Sequence, residues 1–427
     1  MKFADYKPYL SPALAKTTDL VMDSAKGFYI TDLNGDKYID LVQGIAVNAL
    51  GHCHPNIVKA IQDQAAKLID ASFNLVSYPT TLELAKRISE LAPGDLSTVF
   101  FSNGGSEAND GAIKLAKAVT GRPCIIAYRG SFHGRSIGAT SITGSNSKYR
   151  KHYEPLMGGV YFAPYPNPYR WGTSGEAASE EVTTREALNE LQIMFDQLVY
   201  PEDVAAIIIE PVLGEGGYVV PPKAYLEALR GICDKYGILL IFDEIQSGYG
   251  RTGKMFASEH FGVVPDVMTL GKAIAGGLPM SAIVSTEEIM SKWLPGMHGT
   301  TFGGHPVCAA AALAVLDTFK EENILENCTK VGEYLKSRLF ELKEKYPVIG
   351  DVRGLGLMLA MEFINPEDRS PNAEAFNKVR QYCLDNKMLI LGCGVYGNGF
   401  RIATPLNVTK DEVDQVLSIV DKALAAL

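Results

Sequence analysis

The feature that most constrains this chain is a set of short, almost unbroken apolar runs placed between stretches of helical spacing. Cys124-Ile125-Ile126-Ala127, Ala205-Ala206-Ile207-Ile208-Ile209 and Ile238-Leu239-Leu240-Ile241-Phe242 show no polar alternation, so each predicts a strand buried on both faces. Between the last two, Lys223 to Tyr236 has helical spacing and is closed by Gly237, where a C-terminal cap is expected. Thr98-Val99-Phe100-Phe101 reads as a further buried strand, followed by Gly104-Gly105 and a helix from about Ser106 to Val119 that stops at Gly121. Strands alternating with helices predict an α/β chain whose mainly parallel sheet is covered by helices on both faces.

The remaining segments fill in the organisation. Two β-prone runs between Phe28 and Leu41 flank Asn34-Gly35, a strong hairpin signal because both turn residues tolerate positive φ. Trp171 to Thr184 is polar and reads as a surface excursion, after which Leu188, Leu191, Phe195, Leu198 and Val199 recover helical spacing. A long helical region follows Pro306, through Ala309 to Phe319, and the change of domain is expected inside or just after it. At the end of the chain Thr409 and Glu412 form a capping box, and Val413, Val416, Leu417, Val420 and Leu424 line one helix face.

Composition narrows the partners. A chain of 427 residues exceeds the usual single-domain size, so two domains are expected. A net charge of −9 excludes the basic footprint that nucleic acid or an anionic membrane requires. The seven cysteines are scattered without a C-x-x-C spacing, which fits reduced thiols better than disulfides or a metal site. No stretch reaches the roughly 18 apolar residues of a membrane helix, and Met1 to Tyr6 has no basic region leading into an apolar run. The expectation is a soluble, cytoplasmic protein.

Three segments carry chemistry. The apolar run from Ile238 ends in Asp243-Glu244 and continues Ile245-Gln246-Ser247-Gly248-Tyr249-Gly250-Arg251-Thr252-Gly253. Ligands of α/β proteins sit at the carboxyl ends of strands, so an acid there is well placed, although Asp243 could equally cap a turn or pair with Arg251. In Thr269-Leu270-Gly271-Lys272-Ala273-Ile274-Ala275-Gly276-Gly277, a lysine follows an apolar run, where desolvation lowers its pKa and suits it to Schiff-base chemistry. A snorkelling surface lysine is the plainer alternative. In Ser102-Asn103-Gly104-Gly105-Ser106-Glu107, two glycines lead from strand to helix, and the unpaired N–H groups of the first turn make a phosphate cradle or simply a capped turn.

Together these motifs resemble the class III aminotransferases of fold type I, the pyridoxal 5′-phosphate (PLP) enzymes that include 4-aminobutyrate, ornithine and acetylornithine aminotransferases. The resemblance runs from Gly44-Ile45-Ala46-Val47 and Gly51-His52-Cys53-His54-Pro55 to the Arg401 region, and rests most on residues 243–253 and 271–277. It implies a large PLP-binding domain over 56–315, with a smaller α+β part built from 1–55 and 316–427. It implies that Lys272 carries the cofactor covalently, that Asp243 pairs with the pyridine nitrogen, and that Gly105 and Ser106 bind the phosphate. Phe132 would stack on the ring and Gln246 would lie near the phenolic oxygen. Thr301 would reach the phosphate of the neighbouring subunit, making the protein a homodimer or a higher assembly of dimers. Two departures fall at the phosphate end: Gly104 stands where many members have Thr or Ser, and His305 replaces a common Asn.

The same resemblance implies the substrates, a small-molecule amino donor and a 2-oxoacid acceptor such as 2-oxoglutarate. Arg135 matches a carboxylate-binding arginine, a role that suits the planar fork of guanidinium. Glu210 and Arg401 match an acid–base switch: paired, they admit an ω-amine donor, and with Glu210 swung away Arg401 grips an α-carboxylate. Ile45 would form an apolar wall. The expected reaction is amino transfer from an ω-amino acid, 4-aminobutyrate first, by a ping-pong mechanism on Lys272. Acetylornithine or ornithine as donor, or racemisation on the same lysine, are the alternatives.

Overall fold

The computed structural model describes residues 2–171 and 177–427. Near the N-terminus, β1 (Met22–Lys26), β2 (Tyr29–Asp32) and β3 (Lys37–Asp40) run antiparallel. Seven strands follow: β4 (Thr98–Ser102), β5 (Cys124–Tyr128), β6 (Val160–Ala163), β7 (Val204–Ile209), β8 (Leu239–Asp243), β9 (Val267–Leu270) and β10 (Ser281–Ser285). Toward the C-terminus lie β11 (Ile349–Leu355), β12 (Met358–Phe363), β13 (Met388–Leu389), β14 (Leu391–Cys393) and β15 (Gly399–Ile402).

The large sheet has the order β4-β10-β9-β8-β7-β5-β6. Only β10 runs against its neighbours; the others point the same way, so their carboxyl ends share one edge. The unbroken apolar runs have their cause in two covered faces. Ile125, Ala127, Ile208 and Ile241 pack with Ala108, Ala112 and Leu115 of the helix Gly105–Thr120. The alternate residues Ile126, Ile207, Leu240 and Phe242 pack with Leu191 and Phe195 of the helix Glu180–Gln197 and Leu226 and Leu229 of the helix Lys223–Tyr236. Successive side chains of a strand face opposite ways, so both sets must be apolar. Gly121 and Gly237 close their helices at φ 68° and 62°, as the sequence predicts.

The chain ends combine into the smaller α+β part. β13 joins β3 in parallel, giving the sheet β1-β2-β3-β13, and β11-β12-β15-β14 form an antiparallel sheet. The terminal helix Lys410–Ala425 carries the expected capping box and buries all five predicted apolar residues.

Three local expectations change. The Asn34-Gly35 hairpin forms, but only Gly35 has positive φ (86°), because Asp32 Oδ1 accepts from the N–H groups of Asn34 and Asp36 and builds a longer turn. The polar excursion is shorter than read: the helix already starts at Glu180, with Ser179 Oγ accepting from Val182 N, while residues 172–176 of that stretch lie outside the described residues. Leu198 is exposed at 60 %, since it follows the last helical turn rather than continuing its buried face. Among the described residues no helix is long and apolar enough to cross a membrane.

Candidate active site

Strand direction brings the chemistry together. Ile209 of β7 pairs with Phe242 of β8, so Glu210 and Asp243 leave adjacent carboxyl ends, and Asp243 itself pairs with Thr269 of β9. Two residues beyond β9, Lys272 opens a short helical turn with φ 44°, a left-handed backbone that a lysine adopts only under constraint. The β4 end leads into Gly105 and Ser106 on the same edge of the sheet.

Asp243 is buried and fully engaged. Its Oδ2 accepts from His133 Nδ1 at 2.7 Å and from Asn109 Nδ2 at 2.8 Å, and its Oδ1 accepts from the backbone N–H of Ile245 at 3.0 Å. Thr269 Oγ1 in turn donates to Asn109 Oδ1, and Asn109 Nδ2 also reaches the His133 carbonyl. The turn-capping alternative thus holds for one oxygen. The Arg251 alternative does not: Arg251 Nη1 donates to the carbonyls of Leu357 and Thr404.

A cavity of about 940 Å³ is lined by Lys272, Gln246, Phe132, Arg135, Ile45, Glu215, Tyr149 and Arg401. Glu210 and Asp243 are buried and do not line it. Burial lowers the Lys272 amine to about 8, assisted by the Arg401 charge and opposed by Glu210, Asp243 and Glu215. Burial also raises the Glu210 carboxyl to about 7. The expected Glu210–Arg401 pair is not formed. Glu210 Oε1 accepts from Phe132 N and Oε2 from Gly214 N, both at 2.8 Å, so backbone amides occupy both oxygens. Arg135 is exposed and lies over the Tyr149 ring at 4.4 Å.

At the expected phosphate end, Gly104 caps the helix without a side chain, so nothing of its own occupies the first-turn N–H groups. Ser106 Oγ accepts from the N–H groups of Arg135 and Ser136 and lies 2.6 Å from Ser136 Oγ, fixing the Phe132 loop against the helix. Thr301 is exposed and does not line the Lys272 cavity of its own chain, and its loop is tied down through Thr300, which accepts from Asn103 and Asn74. His305 makes no side-chain cap on the helix Pro306–Glu321.

The family model for class III aminotransferases matches residues 11–424. The chain belongs to the class III aminotransferases. Among relatives of this aminotransferase, the 5-aminovalerate aminotransferase DavT of Pseudomonas putida is 39 % identical over 96 % of this chain and 94 % of its own. An alanine/serine racemase of Pyrococcus horikoshii is 38 % identical, covering 96 % and 86 %. The 4-aminobutyrate aminotransferase GabT of Escherichia coli is 38 % identical, covering 94 % and 92 %. An amine transaminase from an uncultivated Pseudomonas species, solved in its PLP-bound form, superposes with a TM-score of 0.91 at 32 % identity over 98 % of both chains.

This class III aminotransferase is a PLP enzyme of fold type I, and its residues fit that cofactor. A partly desolvated amine faces the cavity, a fully engaged carboxylate lies at the next strand end, and a helix start free of a side-chain cap is available to an anion. The sequence reading missed the residues that hold these groups. Asn109 and His133 lie three residues after Ser106 and one after Phe132, but neither carried a sign that its partner was Asp243. Tyr149, whose hydroxyl donates to Glu215 at 2.6 Å, gave no signal at all.

Proposed function

We propose that this aminotransferase takes the amino group of an ω-amino acid, with 4-aminobutyrate the leading donor, and passes it to 2-oxoglutarate in a ping-pong sequence on Lys272. The observation that carries the reading is a pair of guanidinium groups, Arg135 and Arg401, in one cavity with the lysine. Among the described residues neither lies within ion-pair distance of a carboxylate. An ω-amino acid with one carboxylate needs one such group, and 2-oxoglutarate with two needs both. The names of the 5-aminovalerate and 4-aminobutyrate relatives point to the same donor class.

The residues then divide the work as follows. Lys272 Nζ, neutral in a large fraction of molecules near pH 8, takes the proton from the amine-bearing carbon of the donor. PLP, when bound, supplies an electron sink for the charge left on that carbon. Asp243, fixed by His133 and Asn109, would offer its carboxylate to the ring nitrogen. Gly105 and Ser106 would hold the phosphate, Phe132 would stack on the ring, and Gln246, whose Oε1 accepts from Tyr218, would serve the phenolic oxygen. With Glu210 on backbone amides, Arg401 stands open for an α-carboxylate, which is the acceptor half of the switch. The exposed Thr301 serves the site of a second copy, so the working unit is a homodimer.

The test is a panel of ω- and α-amino acids mixed with purified holoenzyme. Donors in the proposed class bleach the visible absorbance of the bound cofactor, and 2-oxoglutarate restores it. The racemase relative motivates a second reading, racemisation on the same lysine. Inversion of one enantiomer of a chiral amino acid without any oxoacid, with the visible absorbance retained, would establish that reading instead. Bleaching by acetylornithine or ornithine but not by 4-aminobutyrate would move the donor to that branch.

A further inference from the structure

One stretch of the cavity wall has a backbone that side chains rarely adopt. Gln43, Gly44, Ile45 and Ala46 have φ of 48°, 65°, 67° and 61°, so four successive residues are left-handed and three of them carry a Cβ. L residues visit that region singly, because Cβ crowds the following carbonyl oxygen, and a β-branched isoleucine suits it least. Such a turn persists only if its surroundings impose it.

Asp40, at the end of β3, supplies the constraint. Its Oδ1 accepts from Val42 N at 2.8 Å and Gln43 N at 3.1 Å, and its carbonyl accepts from Gln43 Nε2 at 2.9 Å. Its Oδ2 lies 2.8 Å from His52 Nε2. On the other side of the imidazole, Asn48 Nδ2 lies 3.4 Å from His52 Nδ1. An amide donor facing Nδ1 assigns the ring proton to Nε2, which therefore donates to Asp40. The pair is well shielded, with side-chain exposures of 5 % for Asp40 and 16 % for His52. Asn48 also touches the lysine loop: a Cβ on Gly277 would come within 2.9 Å of Asn48 Oδ1. A continuous set of contacts therefore runs from the Lys272 loop through Asn48, His52 and Asp40 to the turn that presents Ile45.

We infer that Asp40 and His52 are positioning residues that hold the Gln43–Ala46 turn left-handed and thereby set where Ile45 closes the donor cavity. The inference deepens the proposed function, because it rests on reading that cavity as the donor site.

The test compares holoenzyme variants His52→Ala, His52→Gln and the double variant His52→Ala/Ala46→Gly. His52→Ala raises KM for 4-aminobutyrate about tenfold, the effect of losing one hydrogen bond to a charged group, while the cofactor absorbance and kcat stay near wild type. His52→Gln, whose amide still donates to Asp40, retains most of the wild-type KM. Ala46→Gly recovers much of the loss, because glycine adopts the left-handed backbone without a Cβ clash. Amide exchange across residues 41–49 follows the same order, faster in His52→Ala and slower again in the double variant. Wild-type KM and exchange in His52→Ala, or no recovery of either in the double variant, overturns the inference. If wild-type enzyme turns over no ω-amino acid, the donor reading fails by itself, and amide exchange still decides for or against the clamp.

Discussion

The depressed pKa of Lys272 can be tested before any cofactor is added. At pH 7 an amine with a pKa of about 8 is neutral in about one molecule in ten, whereas the ordinary 10.5 leaves about one in three thousand neutral, a difference of about 300-fold. Only the neutral amine is nucleophilic. Trace labelling of apoenzyme with acetic anhydride, with the Lys272 peptide quantified against exposed Lys67, should therefore show half-maximal reactivity near pH 8. Two substitutions give opposite signs. Arg401→Met removes a neighbouring cation that destabilises the ammonium form, so the midpoint moves to higher pH. Glu210→Gln removes an anion that favours the ammonium form, so the midpoint moves lower. A wild-type midpoint above pH 10, or movement of both variants in the same direction, would falsify this electrostatic account.

Other outcomes follow from the same geometry. Because the lowered Lys272 pKa means that the folded chain binds fewer protons than the unfolded chain between about pH 8 and 10.5, stability rises with pH across that window. Lys272→Ala apoprotein should thus melt higher than wild-type apoprotein at pH 7, by up to about 3 kcal/mol, and calorimetry should show the gap narrowing toward pH 10.5. Ser106→Ala strips the acceptor from the backbone N–H groups of Arg135 and Ser136, and should weaken PLP binding about tenfold in equilibrium dialysis with little change in melting temperature. Gly356 has φ 53°, and an added Cβ would meet the backbone of Thr252 and come within 2.6 Å of Gly253 N. Gly356→Ala should destabilise by about 3 kcal/mol or more in urea unfolding, since neither the dihedral nor the backbone contact can relax cheaply.

The parts of the fold legible in the sequence were those set by burial over one strand or one helix. Ile207 and Ile208 face different helices, yet both must be apolar, and that necessity is written into the run itself. Gly121 and Gly237 announced helix ends because their left-handed caps are local. Leu198 misled for the same reason: helical spacing carries on past the residue where the backbone stops being helical. The places of Lys272 and Asp243 at one edge of the sheet were legible because Asp243 ends a buried strand and Lys272 comes just after one, where topology converts sequence position into location.

What could not be read were the contacts that give those residues their chemistry. His133 and Asn109 lie 110 and 134 residues from Asp243, and each reaches it only because β5 and the helix after β4 share an edge of the sheet with β8. A motif names a residue type but leaves its rotamer open. Glu210 shows the consequence. Its place after β7 suits a partner for Arg401, but the turn to Gly214 and the loop at Phe132 each aim an N–H at it, and two amides within hydrogen-bond reach outcompete a more distant cation. The strained turn at Gln43–Ala46 is the opposite case. Apart from Gly44, its residue types predict no left-handed backbone, and it takes the bonds of Asp40 to Val42, Gln43 and His52, formed around the turn itself, to account for a β-branched side chain standing there at the cavity wall.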